Sequence, residues 1–348
     1  MDHQPLTPEQ IEHFVQHGWL KIPNAIDKKY LELWMSNLWT RLGWDKDAKS
    51  TWTDEYVKMP RHREVPVEEL SPKAWQAACE LVGGEDKIDP IRERYHGDQM
   101  ICNFGTEHWT KNDFTPQQAT GWHHDNDWYR QFLDSSGNAI TVIHCFTDIP
   151  PRGGGTYLCE DGLANICQTL LDHPEGFEPP LDLYSHIPNC KKFVTVEAKA
   201  GDVFLLHGLL PHTNSKNHLR YARVIANPHI NMVEPFNLNR VDGAYTPCEK
   251  VILRALGRES IPEYRPIRER QAYFPRTATF KRARIDAELE RMIAAAAAEG
   301  LGRDSVDSIY LKGEEAIREH ERRAGYDLAH GPGGIAHTID DTERVTAE

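Results

Sequence analysis

Gly121-Trp122-His123-His124-Asp125-Asn126-Asp127-Trp128 is the stretch from which the rest of the chain can be read. In extended backbone alternate side chains share a face, so His123 and Asp125 point one way and His124 the other. An imidazole beside a carboxylate makes two teeth of a metal clamp, too few to hold a divalent ion well. Two histidines and one carboxylate on one face of an octahedron leave three positions open for substrates. Downstream, Gly201-Asp202-Val203-Phe204-Leu205-Leu206-His207 runs on to His212, the candidate third tooth.

Short motifs recur by chance, and His96-Gly97-Asp98 is a second His-x-Asp that spacing does not exclude. The aromatic setting of Trp122, Trp128 and Tyr129 favours His123 and Asp125, because a few polar groups inside an apolar pocket mark a binding site. The competing reading of His96 and Asp98 is a turn entering a strand.

Outward from the clamp the pattern is strand-like. Met100 to Phe104, the clamp stretch itself, Ala139 to Phe146, Thr156 to Cys159, Phe193 to Val196, Val203 to Leu206 and Leu219 to Ala226 read as short strands rich in β-branched and aromatic residues. With turns such as Pro150 to Gly155 between them and no intervening crossover helices, they read as a double-sheet jelly roll. Before them, Thr7-Pro8-Glu9-Gln10 opens a helix with a capping box and ends it at Gly18; Trp19 to Pro23 is a strand, and Lys29 to Leu42 a second helix burying Leu31, Leu33, Trp34 and Leu38. Lys73 to Val82 and Leu163 to Leu171 are further helices. After residue 249 the pattern turns helical, with Ile285 to Ala298 and Ser305 to Arg323 as two helices. The expected architecture is mainly β with helical additions: a double-stranded β-helix core with its N-terminal helices over 1–249, a C-terminal helical extension over 250–328 acting as lid or homodimer contact, and a disordered tail over 329–348.

The chain has 348 residues and a formal net charge of -13, which argues against a nucleic-acid or anionic-membrane surface. Its seven scattered cysteines include no Cys-x-x-Cys and read as reduced thiols. No secretory leader and no apolar run long enough for a bilayer is visible, so a cytoplasmic protein is expected. The basic residues Arg265, Arg268, Arg270, Arg276, Lys281, Arg282 and Arg284 read first as a solvated face and second as a holder of an anionic substrate group.

Leu6 to Ile11 with Gly18 to Asn24, then Trp122-His123-His124-Asp125, Gly154-Gly155-Thr156, and Gly201 to Phe204 with His212, Asn217 and Arg223 together resemble the phytanoyl-CoA dioxygenase family of iron(II)- and 2-oxoglutarate-dependent oxygenases. The ordered set spans roughly residues 6 to 227 and is specific where each piece alone is weak. The resemblance implies that His123, Asp125 and His212 are the metal ligands, which decides between the two triplets and ranks His207 below His212. It puts 2-oxoglutarate on Arg223, with Arg220 as the rival, and a guanidinium fork suits the far carboxylate of such a cosubstrate. Thr156 and Asn103 are implied as further cosubstrate contacts; Thr120 stands where relatives often carry Gln, and Glu160-Asp161-Gly162 where they carry Pro-Gly-Ser-His. Trp128, Tyr129 and Arg130 are the expected substrate wall.

The implied activity is oxidation, by default hydroxylation, of a small organic molecule with Fe(II), 2-oxoglutarate and O2, releasing succinate and CO2. Two other readings use the same residues: a cupin-like zinc or manganese enzyme, and a non-catalytic metal- or ligand-binding protein. Arg223 and the intact ordered set argue against both.

Overall fold

The computed structural model describes residues 5–325 and 336–337. Ten short strands make the centre, in two antiparallel sheets. The larger runs Trp19–Ile22, Val203–His207, Ile140–Cys145, Arg223–Ala226, Ile101–Asn103, Tyr56–Lys58, with His229–Ile230 also paired to Ile140–Cys145. The smaller runs His212–Asn214, Thr156–Cys159, Phe193–Thr195. The chain passes from the larger sheet at Ile140–Cys145 to the smaller at Thr156–Cys159, back at Val203–His207, across again at His212–Asn214 and back at Arg223–Ala226. That winding is a double-stranded β-helix. Its crossing between Val203–His207 and His212–Asn214 needs Gly208, where a Cβ would overlap the Asn138 carbonyl oxygen.

The N-terminal helix Pro8–His17 forms as its capping box dictates: Gln10 N–H donates to the Thr7 hydroxyl at 3.3 Å and Thr7 N–H to the Gln10 side chain at 2.9 Å. Gly18 then takes φ 77°, and the chain enters the edge strand Trp19–Ile22. The continuous helix expected from Lys29 to Leu42 is instead two, Lys28–Met35 and Leu38–Leu42. Ser36 donates its hydroxyl to the Leu33 carbonyl at 2.7 Å and Asn37 leaves helical geometry, its side chain accepting from Arg63. Leu33, expected inside, is 43% exposed, while Tyr30 and Trp34 are buried.

The clamp stretch is not a ladder strand. A single bridge joins it to the smaller sheet: His123 N–H donates to the His212 carbonyl at 3.0 Å and His212 N–H to the His123 carbonyl at 2.7 Å. Beyond it side chains take over the main-chain groups, Tyr184 Oη accepting from His124 N–H and Asn138 Nδ2 donating to the Asp125 carbonyl. The strand expected over Leu219 to Ala226 starts only at Arg223, because the Asn217 side chain builds a turn by accepting from Leu219 N–H and donating to the Tyr221 carbonyl. Arg220 sits in that turn at φ 51°.

The C-terminal helices pack onto the same body. Arg41 is fully buried between Asp98, at 3.1 Å, and Glu288 of the helix Arg276–Ala298, at 2.7 Å. The helix expected over Ser305 to Arg323 resolves into tight turns at Arg303–Ser305 and Ile309–Leu311 followed by Glu314–Arg323, with Gly313 at φ 93° before it. The tail over 329–348 falls outside the described residues except for Ala336–His337, which pairs in parallel with Ala272–Tyr273. No helix among the described residues is long and apolar enough to cross a membrane.

Candidate metal centre

The bridge between the clamp stretch and the smaller sheet brings His123, Asp125 and His212 together, with one ligand atom from each inside 4.8 Å of the others. His123 Nε2 lies 3.6 Å from Asp125 Oδ1, and His212 Nε2 lies 3.4 Å from Asp125 Oδ2. Each imidazole is oriented the same way. His123 Nδ1 is 2.7 Å from the Gly121 carbonyl and His212 Nδ1 is 3.0 Å from the Leu210 carbonyl, two residues upstream in both cases. A carbonyl only accepts, so each Nδ1 carries a proton and each Nε2 is the ring atom turned toward the Asp125 carboxylate. Two imidazoles held with Nε2 inward and one carboxylate are the donor set a divalent iron takes, and the residues fit it.

Asp125 is held as an anion. Burial works to raise its carboxyl, but His212, His123 and His229 outweigh that and keep it well below the usual carboxylate range. Asn227 Nδ2 donates to Asp125 Oδ2 at 3.1 Å, and His229 Nε2 lies 3.3 Å from the same oxygen. His229 Nδ1 faces Glu93 at 2.9 Å; although burial opposes its charge, the two carboxylates push it up to about 10. Neither Asn227 nor His229 nor Glu93 was anticipated. The available signal was polar residues at 227 and 229 continuing the alternation of Arg223 past the end of its strand.

Arg223 is wholly buried, donating to the Ile101 carbonyl and to Asn214 Oδ1, both at 3.2 Å, while its Nε has no partner. No described carboxylate pairs with it, so a buried guanidinium waits for an anion. Asn214 shares a face of its strand with His212, and Thr156 stands directly opposite Asn214, so His212, Asn214 and Thr156 point to one side. Asn103 is paired across from Arg223, but its amide is engaged by the Ser215 carbonyl and the Gly105 N–H. Thr120 is exposed, and Arg220 reaches out to Glu107 and to the carbonyls of Gly105 and Lys49.

His207 faces elsewhere: it stacks on Phe236, accepts from Leu209 N–H, and is pushed down to about 3 by burial. The rival triplet is also accounted for, since Asp98 is occupied by Arg41 and Arg63 and by the main-chain N–H groups of His62 and Arg63.

His123 and Asp125 open into a cavity of about 300 Å3, lined also by Trp128, by Lys281 and Ile285 of the long C-terminal helix and by Tyr310. Of the expected substrate wall only Trp128 lines it. Tyr129 is buried behind, and Arg130 ties to Glu178 and to the Glu269–Gln271 segment. Of the basic set, Arg268 pairs with Glu178, Arg270 with Asp134 and Arg282 with Glu321, and the side chain of Arg276 lies outside those described.

The phytanoyl-CoA dioxygenase (PhyH) family profile matches residues 14–222. No curated protein matches the chain. Similar solved structures include the epimerase SnoN in complex with Fe3+, alpha ketoglutarate and nogalamycin RO, at 16% identity over 76% of this chain and 94% of that one, with a TM-score of 0.39. HygX from Streptomyces hygroscopicus with nickel and 2-oxoglutarate bound is 14% identical over 68% and 90%, with a TM-score of 0.34. EctD from S. alaskensis with bound Fe is 15% identical over 66% and 77%, with a TM-score of 0.39.

Proposed function

The chain belongs to the phytanoyl-CoA dioxygenase family, and from that premise we propose that it hydroxylates a small organic molecule, with iron(II) held by His123, Asp125 and His212 and 2-oxoglutarate anchored by Arg223. It is an iron(II)- and 2-oxoglutarate-dependent oxygenase by family. The observation that carries the reading is the pair of imidazoles locked by their Nδ1 protons with both Nε2 atoms turned on one carboxylate. Held by these three residues, iron(II) would supply the chemistry by which O2 and 2-oxoglutarate, giving succinate and CO2, oxidise the second substrate.

The protein's own part is positioning. Asp125, fixed by Asn227 and His229, offers an anion without needing to lose a proton at neutral pH. Arg223 has its counter-charge missing and Thr156 on the inner face of the smaller sheet, which suits the far carboxylate of 2-oxoglutarate. Asn103 and Thr120 are secondary candidates for that cosubstrate. Trp128 forms the substrate wall, with Tyr129 and Arg130 supporting it from behind, and the C-terminal extension contributes Lys281, Ile285 and Tyr310 to the same cavity. All seven cysteines are free, which suits a reducing cytoplasm.

The test is succinate formation on admitting O2 to anaerobically reconstituted Fe(II) protein with 2-oxoglutarate, for the wild type, His212→Ala and Arg223→Met. Turnover is expected in the wild type, absent in His212→Ala, and recovered in Arg223→Met only at raised 2-oxoglutarate. Zinc retention with no 2-oxoglutarate binding by the wild type would instead support the cupin-like reading.

A further inference from the structure

The cavity in front of the triad is lined by cations and anions that mostly answer one another. Arg61 is saturated by Gln99, Glu64 and the Tyr95 carbonyl. Arg282 pairs with Glu321, and Glu93 with His229. Lys58 and Lys281 also line it, and neither side chain makes a hydrogen bond or ion pair with any described residue; Lys58 is exposed, whereas Lys281, in the first turns of the long helix Arg276–Ala298, is half-buried. Trp128 lines the same cavity with its ring, its indole N–H being buried away from solvent. A half-buried ammonium in the cavity wall without an acceptor among the described residues asks for one from a ligand.

The electrostatics agree with the geometry. Burial and the like charges of Arg61 and Lys58 pull Lys281 down to about 8, against the weaker opposite pull of Asp127 and Glu93. An ammonium kept half-buried without a counter-ion is costly in a purely structural role and ordinary where a ligand brings the counter-charge. One turn along the same helix Ile285 also lines the cavity, and Leu181, Tyr184 and Tyr310 add apolar surface. The wall therefore offers apolar surface beside the half-buried ammonium of Lys281.

We propose that the substrate is a small amphipathic acid whose oxyanion, a carboxylate or a phosphate monoester, is bound by Lys281 while its apolar body lies against Trp128 and Ile285. This deepens the oxygenase reading and rests on it. Arg223 lies outside this cavity lining, so the substrate anion and the 2-oxoglutarate anion have separate holders.

The experiment is calorimetric titration of anaerobic Fe(II) protein, preloaded with 2-oxoglutarate, with three probes of one body: 3-phenylpropanoate, 3-phenylpropyl phosphate and the neutral 3-phenylpropanamide. At least one anion is expected to bind about tenfold or more tighter than the amide, as a charge-assisted hydrogen bond implies; which anion does so distinguishes the two sources. Lys281→Met should erase the preference and Lys281→Arg should keep it, both variants being checked for unchanged thermal unfolding. No preference for either anion in the wild type, or a preference that survives Lys281→Met, overturns the proposal. Binding of 2-oxoglutarate in the preloading step reports separately on the oxygenase reading, whose failure would appear there before any probe is added.

Discussion

Two His-x-Asp triplets in this chain, His96-Gly97-Asp98 and His123-His124-Asp125, end up in opposite chemical situations. Asp98 is fully buried with Arg41 and Arg63 on its oxygens, so its charge is spent inside the protein. His96 beside it is buried on the edge of His144, with neither ring nitrogen hydrogen-bonded. Asp125 meets no guanidinium; its neighbours are His123 and His212, the Thr141 hydroxyl, the Asn227 amide and His229, whose charge is shared with Glu93. What separates a structural carboxylate from a metal-ready one is thus the partner supplied by distant elements, Leu38–Leu42 for Asp98 and Arg223–Ala226 with its continuation for Asp125.

The largest effect should come from exchanging the two acids. Asp125→Ala is expected to abolish stoichiometric Fe(II) binding and 2-oxoglutarate turnover while leaving thermal unfolding nearly unchanged. Asp98→Ala should do the reverse, losing about 3–5 kcal/mol of stability because buried Arg63 is left without its anion and Arg41 with only Glu288, with metal content per folded molecule retained. Metal analysis and denaturant unfolding on both variants check the pair. Loss of metal from well-folded Asp98→Ala would break the contrast.

A smaller effect of the same origin is a difference in acid stability. Arg41 and Arg63 override the cost of burial and hold the Asp98 carboxyl at about 2, below its ordinary 3.8. A carboxyl that titrates lower in the folded than in the unfolded chain stabilises fully above its unfolded value, and that stabilisation drains as pH falls from 3.8 toward 2. The contribution is on the order of 2 kcal/mol. Unfolding free energies of wild type and Asp98→Asn should therefore lie furthest apart above about pH 5 and converge in acid; a constant gap down to the lowest pH at which both fold would remove Asp98 from the account.

The clamp itself, the sheet winding and the N-terminal capping box were legible because each is local or follows strand alternation. His123 and Asp125 share a face even though the stretch is a loop with one bridge, since extended backbone is enough for that. What composition and periodicity did not carry were partners supplied from far along the chain. Ser36 and Asn37 broke a helix whose apolar pattern was continuous, because their side chains compete for backbone and for Arg63. Lys281 read as one of a solvated basic set and lines the cavity instead, and nothing in a single helix's pattern says which of its faces will meet a site built some 150 residues earlier.

The finest test of the contrast lies in the residues that hold Asp125 from behind. Glu93 accepts from the His229 N–H at 3.0 Å and from His229 Nδ1 at 2.9 Å, and it does so from a backbone at φ 56°, a left-handed conformation uncommon outside glycine. His229, with a carboxylate at each ring nitrogen, carries both protons and fixes Asp125 Oδ2. Replacing His229 by Gln keeps a donor toward one carboxylate and removes the charge between the two. Since such outer partners typically tune metal affinity by about tenfold or more, His229→Gln should weaken Co(II) binding, followed by its visible absorption, by about that factor, with the fold intact. Asn227→Ala, which removes one neutral hydrogen bond to the same oxygen, should weaken it less. If both variants bind Co(II) like the wild type, Asp125 is positioned by its own loop alone, and the difference between the two triplets reduces to the arginines that surround Asp98.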